Sequence, residues 1–224
     1  MKVVVLISAI AEWVAVKPLF PDAKIRQFPF GECFDIRFQD EHISFFHSGW
    51  GKIASAGSMQ YVIDKYSPDL IVNLGTCGGF EGTVKQGELI LVEKTYVYDI
   101  VELMGDLDIV SYYASSLDLS WLTEPHPYPA RRGMIASADS DLLPAKIPLL
   151  KSQGAVAADW ESAALAWVAQ RNNARLLILR GVSDMVNAEG GEAYNNIEIF
   201  NERARGIMQQ LIEQLPEWLN AVKL

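Results

Sequence analysis

Residues 69–79 read DLIVNLGTCGG, an apolar run of strand length that ends in three glycines around a threonine and a cysteine. A short run of this kind, rich in β-branched and other apolar residues, is typical of a strand that is buried on both faces of a parallel sheet. The glycine segment matches neither the Walker loop nor the dinucleotide-binding fingerprint. Taken alone, it is best interpreted as a tight turn after the strand.

Comparable apolar runs recur along the chain and alternate with segments of helical period, which predicts an α/β fold. Strands are predicted at residues 2–10, 42–48, 69–74, 88–92, 132–136, 155–158 and 175–182. Helices are predicted at residues 52–66, 161–170 and 199–222, with a kink or a break at Pro216. We expect a single domain over residues 1–224, an α/β/α sandwich with a mixed, mostly parallel central sheet.

The amino-acid composition excludes some classes of binding partner. The 224 residues are 50% hydrophobic and carry 19 Lys and Arg against 28 Asp and Glu, a formal charge of −9 with no basic run. We therefore expect neither nucleic acid nor a membrane as partner, and no stretch has the length of a membrane span. The isolated Cys33 and Cys77 suit a reducing compartment, which predicts a cytoplasmic location. The histidines lack metal-pair spacing, so no metal is expected.

Polar residues follow several of the predicted strands. Glu12 follows the first strand, residues 75–79 the third, Glu161 the sixth, and Ser183 and Asp184 the last. Because ligands bind outside the carboxyl ends of parallel strands, these positions are candidates for one site. Each also has a local interpretation, since acids favour helix N-termini and Ser-Asp pairs cap the segments that follow. Their joint placement favours the functional interpretation.

A family resemblance rests on a series of short motifs spread over most of the chain. They are AIAE at 9–12, SGWGK at 48–52, PDLIVNLGTCGG at 68–79, GELILV at 87–92, IASAD at 135–139, DWESAA at 159–164 and RGVSD at 180–184. In this order the motifs resemble the superfamily of purine nucleoside phosphorylases and 5'-methylthioadenosine/S-adenosylhomocysteine nucleosidases. The resemblance implies an enzyme that cleaves the N-glycosidic bond of a purine nucleoside, without a cofactor.

The resemblance also implies roles for individual residues. Glu161 would bind the ribose hydroxyls in its ionised form, Asp184 would protonate the departing purine, and Glu12 would activate water. The physical chemistry agrees, because an acid near N7 improves the leaving group while positive charge builds on the sugar. Further expected substrate-binding positions are Thr76, Cys77, Gly78, Asp141, Leu142, Trp160, Arg180 and Ser183.

The chain departs from the family pattern at the sugar and the base. Trp160 stands where a methionine is common, and it is either a core aromatic or a wall for a flat ligand. Asp141 stands where an aromatic residue is frequent, so stacking on the base is not expected from that position. The segment after the fourth strand also lacks the usual aromatic-bearing run. The 5' substituent of the substrate therefore remains open, with 5'-methylthioadenosine and S-adenosylhomocysteine as examples.

The sequence is also compared with two alternative functions, which would replace nucleoside hydrolysis. A purine nucleoside phosphorylase needs cations for phosphate, but Asn73 occupies the place of the usual arginine and residues 8–16 contain none. A non-catalytic nucleoside-binding protein would not require Glu12, Glu161 and Asp184 together. The resemblance further implies a homodimer, for which residues 103–129 are the candidate contact.

Overall fold

The computed structural model describes residues 1–38, 41–105 and 109–223. Its strands are β1 (Lys2–Ile7), β2 (Arg26–Phe28), β3 (Gly31–Phe38), β4 (Glu41–His47), β5 (Leu70–Phe80), β6 (Leu89–Val97), β7 (Ser115–Ser116), β8 (Arg131–Ser137), β9 (Ala155–Asp159), β10 (Leu176–Asn187) and β11 (Gly190–Gly191). Its helices are α1 (Ile10–Val16), α2 (Gly51–Tyr66), α3 (Ile109–Tyr112), α4 (Ile147–Ser152), α5 (Ser162–Arg171) and α6 (Ile197–Asn220), with 3-10 turns at Lys17–Leu19 and Pro144–Lys146.

The strands form one mixed sheet, and the predicted α/β fold is confirmed. Strand β1 lies between β4 and β5 and is parallel to both, and β5 is also parallel to β10. The sheet then curves on itself, because β10 pairs with β6, β6 with β8, β8 with β9, and β9 again with β5. The carboxyl ends of β1, β5 and β10 consequently meet at one edge.

Helices cover both faces of the sheet. The period of two in β1 directs Val3 and Val5 into an apolar cluster with Trp218 of α6, and Val4 and Leu6 into a second cluster with residues of α2 and α5. Both clusters consist of side chains that are almost entirely buried. Among the described residues, no helix is long and apolar enough to cross a membrane.

Two local predictions were wrong. The first strand ends at Ile7 rather than at residue 10, because the carboxylate of Glu12 accepts the Ala9 N–H and caps the start of α1. The glycine segment is no turn, since β5 continues through it to Phe80. At Pro216, where a kink or a break was predicted, α6 continues without a break. The strands β3 and β2, which extend the sheet beyond β4, were not predicted.

Candidate active site

A cavity of about 1240 Å³ opens at the edge where β1, β5 and β10 end. Ten of the eleven residues predicted for the site line it: Glu12, Thr76, Cys77, Gly78, Asp141, Leu142, Trp160, Glu161, Ser183 and Asp184. Three carboxylates from distant parts of the sequence, those of Glu12, Glu161 and Asp184, thus face one space, and each of these residues is at most 7% exposed.

Glu12 is held rigidly against the end of β5. Its Oε1 atom accepts hydrogen bonds from the backbone N–H of Thr76 at 2.6 Å and from the Thr76 hydroxyl at 2.8 Å. From the part of the chain that the structure describes, its Oε2 atom accepts only the Ala9 N–H, at 3.2 Å. Burial raises the pKa of Glu12, whereas the charge of Arg180 and the Thr76 donors act in the opposite direction. The less engaged Oε2 is therefore suited to exchange a proton.

Gly75 makes this close approach possible. A Cβ atom at this position would lie 2.9 Å from Glu12 Oε1 and 3.1 Å from Arg180 Nη1. The glycine segment thus serves to admit a carboxylate and a guanidinium beside the backbone of β5, and not to turn the chain.

Glu161 precedes α5 and reaches the start of α2, where its Oε1 accepts the backbone N–H of Gly51 at 3.0 Å. Gly51 has a φ of +82°, a conformation that favours glycine and that aims this N–H at the carboxylate. Burial raises the pKa of Glu161 to about 8, and the negative charges of Asp159 and Glu12 add to the effect. A raised pKa favours the protonated form of this carboxyl, whereas its expected role at the ribose hydroxyls needs the ionised form.

Arg180 does not line the cavity, so the prediction that it contacts the substrate was wrong. The side chain is 2% exposed, and its Nε donates to Asp159 Oδ2 at 2.8 Å. Its Nη2 donates to the side chain of Asn73, whose amide nitrogen in turn donates to the Leu6 carbonyl at 2.9 Å. Asn73 is likewise fully buried. Arg180 thus lies beneath the site, where its positive charge lowers the pKa of Glu12.

Asp184 occupies a β-bulge. The register between β10 and β5 shifts between Val182 and Asp184, and such a bulge redirects the side chain that follows it. The Ser183 hydroxyl donates to Asp184 Oδ1 at 2.7 Å. Burial raises the pKa of Asp184, while this hydrogen bond and the charge of Arg203 lower it. Arg203 is itself paired with Glu192 at 2.8 Å, which weakens its influence.

Cys77 places a thiol in the lining of the cavity. Its side chain is 3% exposed, and burial raises the pKa of the thiol well above its ordinary value, with the charge of Asp159 adding to the effect. A protonated thiol is a poor nucleophile, so Cys77 is suited to contact a ligand and not to attack one. The described residues contain no group of three or more His, Cys, Asp or Glu side chains arranged to hold a metal ion.

Several aromatic residues of the cavity escaped the sequence analysis. Trp50 stacks on Trp160 with ring centroids 4.9 Å apart, although Trp50 itself is 60% exposed. Tyr98, Tyr194 and Phe200 also line the cavity. Trp50 was detectable within the SGWGK motif, but no spacing rule links the other three to the strand ends. The rings of these aromatic residues provide flat surfaces for a ligand, which the carboxylate of Asp141 does not.

The family model of the phosphorylase superfamily matches residues 7–216. A 5'-methylthioadenosine/S-adenosylhomocysteine nucleosidase of Marinomonas sp. (strain MWYL1) is 24% identical over 95% of this chain and 99% of its own. Another from Staphylococcus aureus (strain MRSA252) is 26% identical over 79% of this chain and 82% of its own. The crystal structure of Streptococcus pneumoniae MTA/SAH nucleosidase with 8-aminoadenine superposes with a TM-score of 0.80 at 21% identity, over 99% of this chain and 100% of that one.

Proposed function

The chain belongs to the phosphorylase superfamily, and from this premise we propose that it hydrolyses the N-glycosidic bond of a purine nucleoside to give free base and free sugar. One observation carries the proposal: Glu12, Glu161 and Asp184 line one cavity, are nearly buried, and have raised pKa values. The relatives named as nucleosidases support a 5'-modified adenosine as substrate, such as 5'-methylthioadenosine or S-adenosylhomocysteine.

Asp184 is the general acid. The base leaves as the C–N bond breaks, and a proton from Asp184 to N7 of the purine allows a neutral base to depart. The raised pKa keeps a proton on this carboxyl at higher pH than on an ordinary aspartate. Ser183 orients the group through its hydrogen bond to Oδ1.

Glu161 binds the ribose hydroxyls. In its ionised form the carboxylate accepts hydrogen bonds from both hydroxyls, and the positive charge that develops on the sugar favours this form because the two charges are opposite. The Gly51 N–H then supports the carboxylate, and the start of α5 adds a favourable dipole. Trp160 and the Thr76–Gly78 segment form the walls of the sugar and base pocket, together with Leu142 and Asp141 at the base.

Glu12 activates the attacking water. Its Oε2 takes a proton from water while the oxygen of that water bonds to the anomeric carbon. The Thr76 donors keep Oε1 fixed and so orient Oε2. Arg180 acts through Glu12 as a positioning residue that moderates the pKa of the base.

Phosphorolysis is the alternative within the same superfamily. A phosphate dianion beside Glu12 and Glu161 needs nearby cations. Among the described residues that line the cavity, Arg205 is the only cation, and it stands on α6 and not at the end of β5. Arg180 is engaged by Asp159 and Asn73. Charge therefore favours water over phosphate. A non-catalytic binding protein would have no use for two buried proton-exchanging carboxyls.

We also propose a cytoplasmic homodimer. Val101, Leu103 and Met104 are 74–95% exposed, and such apolar exposure is typical of a contact surface. Residues 106–108 of the expected 103–129 contact lie outside the described residues. Trp121 and Leu122 of that stretch are buried within this chain, which leaves its first part as the contact. Light scattering that shows only the 24.9 kDa monomer at micromolar concentration would contradict the dimer.

A nucleoside panel tests the activity. Adenosine, inosine, 5'-methylthioadenosine and S-adenosylhomocysteine are each incubated with the protein, and release of the free base is followed by chromatography. We expect base release that is fastest for the 5'-thio-substituted adenosines. Tight binding of these compounds without any release of base would favour the non-catalytic alternative.

A further inference from the structure

Helix α2 begins beside the sugar site, and carboxylates from distant parts of the chain bind its first N–H groups. In the described part of the chain, Trp50 precedes this helix and its side chain makes no capping hydrogen bond. Glu161 Oε1 accepts the N–H of Gly51 at 3.0 Å. Asp139 Oδ1 accepts the next one, the N–H of Lys52, at 2.7 Å. Because the N–H groups at a helix start need acceptors, the two carboxylates together fix the direction of the first turn.

Asp139 belongs to a compact group of charges, the Lys52 cluster, which consists of Lys52, Asp99 and Asp139. The ammonium of Lys52 lies 2.5 Å from Asp99 Oδ2 and 3.2 Å from Asp139 Oδ2. The backbone N–H of Asp139 donates to Asp99 Oδ2 at 2.9 Å. The Lys52 side chain is only 18% exposed, so salt and water screen these ion pairs less than those of a fully exposed lysine. The cluster therefore joins the start of α2 to the segments that follow β6 and β8.

The Lys52 cluster lies directly behind the lining of the cavity. The lining includes a neighbour of each member, within two positions along the chain: Trp50, Tyr98 and Ser140. Residues 140–142 belong to the proposed wall at the base, whereas Gly51 supports the carboxyl that is proposed to bind the sugar. The cluster thus connects the part of the cavity that receives the base with the part that receives the ribose.

We propose that the Lys52 cluster holds the start of α2 so that the Gly51 N–H points at Glu161. The proposal rests on the proposed function for the role of Glu161, and it extends that function to three positioning residues that do not touch the substrate. Gly51 and Lys52 are consecutive, so a change in the direction of one N–H also turns the other. A Cβ atom on Gly51 would lie 2.9 Å from Asp139 Oδ1, which shows how closely this carboxylate packs against the backbone that it directs.

A comparison of two sugars provides the first test. Adenosine and 2'-deoxyadenosine are assayed with the wild type, Asp139→Ala, Asp139→Asn and the control Asp64→Ala, which changes an exposed position of α2 outside the cavity. Asp139→Ala removes the acceptor of the Lys52 N–H, and we expect it to lower kcat/KM for adenosine about 5- to 20-fold more than for 2'-deoxyadenosine. Asp139→Asn keeps an oxygen acceptor at this place. It is expected to keep the wild-type ratio of the two sugars within about threefold, and Asp64→Ala within about twofold.

Urea unfolding from about pH 6 to about pH 9.5 provides a second test, which needs no nucleoside. The Gly51 N–H stabilises the ionised form of Glu161 and so lowers its pKa. The charged groups that also act on this carboxyl are the same in every variant: Asp159, Glu12 and Arg180. Loss of the N–H in Asp139→Ala raises the pKa, so the free energy of unfolding is expected to keep falling to a pH about 0.5–1 unit higher than in Asp139→Asn. Both variants lack the Asp139 carboxyl, so its own titration cancels.

The outcomes separate this proposal from the proposed function. An equal loss on both sugars in Asp139→Ala, with the same pH profile of unfolding as Asp139→Asn, overturns the positioning role. If Asp139→Ala does not fold, Lys52→Met is expected to lower the ratio of the two sugars about 2- to 5-fold and Lys52→Arg to keep it, and an unchanged ratio in Lys52→Met overturns the proposal as well. If the wild type cleaves neither nucleoside, the proposed function fails, and the unfolding profiles still decide whether the cluster positions Glu161.

Discussion

Glu161→Gln changes the stability of the protein in a way that depends on pH. The side chain is 7% exposed, and its pKa is raised from an ordinary value of 4.5 to about 8. Between these values the folded protein holds a proton that the unfolded chain has released. Unfolding therefore becomes more favourable as pH rises through this window, and at about 1.36 kcal/mol per pH unit the total loss is roughly 5 kcal/mol.

The assay is urea unfolding followed by tryptophan fluorescence, from about pH 5 to about pH 8.5. We expect the free energy of unfolding of Glu161→Gln to fall less steeply than that of the wild type, because glutamine has no proton to lose. Glu81→Gln makes the same chemical change at an exposed position outside the cavity and is expected to follow the wild type. Parallel curves for wild type and Glu161→Gln would refute the assignment of a buried, protonated Glu161.

The same variant tests the sugar contact. Because its proposed partners are the ribose hydroxyls, Glu161→Gln is expected to impair ribosides much more than 2'-deoxyribosides. The ratio of kcat/KM for adenosine and 2'-deoxyadenosine measures this difference, with Glu81→Gln again as control. An equal loss on both sugars would contradict the proposed role.

Three further changes follow from the site. Asp184→Asn, which cannot protonate the base, is expected to lower kcat about 10²- to 10⁴-fold without loss of fold by circular dichroism, and turnover within about twofold of wild type would remove Asp184 from the mechanism. The profile of kcat/KM against pH is expected to be bell-shaped, falling at low pH as Glu12 gains a proton and at high pH as Asp184 loses one, and Glu12→Gln should abolish the fall at low pH. Trp160→Leu should raise KM about 3- to 10-fold with little change in kcat, and an unchanged KM would show that Trp160 does not contact the substrate.

The placement of the carboxylates was predictable because it depends on topology. Glu12, Glu161 and Asp184 each follow an apolar run, and parallel strands bring such positions to one edge. The surroundings of these three carboxylates could not be predicted from the sequence. The burial that raises the pKa of Glu161 comes from residues far away in the chain, and Gly51 supports it across 110 positions.

Other features depend on tertiary contacts that no local pattern reports. The course of β5 through its glycines reflects the need to admit Glu12 and Arg180 beside Gly75, whereas the sequence alone suggested a turn. Arg180 lies in the same motif as Asp184, but its direction beneath the sheet is set by its pairing with Asp159. The closure of β9 onto β5 likewise joins segments that the alternating pattern could not pair.

Product analysis with and without phosphate tests the central claim, hydrolysis by water, most directly. The wild type is incubated with 5'-methylthioadenosine in phosphate-free buffer and again with added phosphate, and both base and sugar are identified. We expect adenine at the same rate in both, together with the free sugar, because Glu12 activates water and its negative charge repels a phosphate dianion. If adenine appears only with phosphate and a sugar 1-phosphate accumulates with it, the protein is a phosphorylase and Glu12 does not have the role proposed for it.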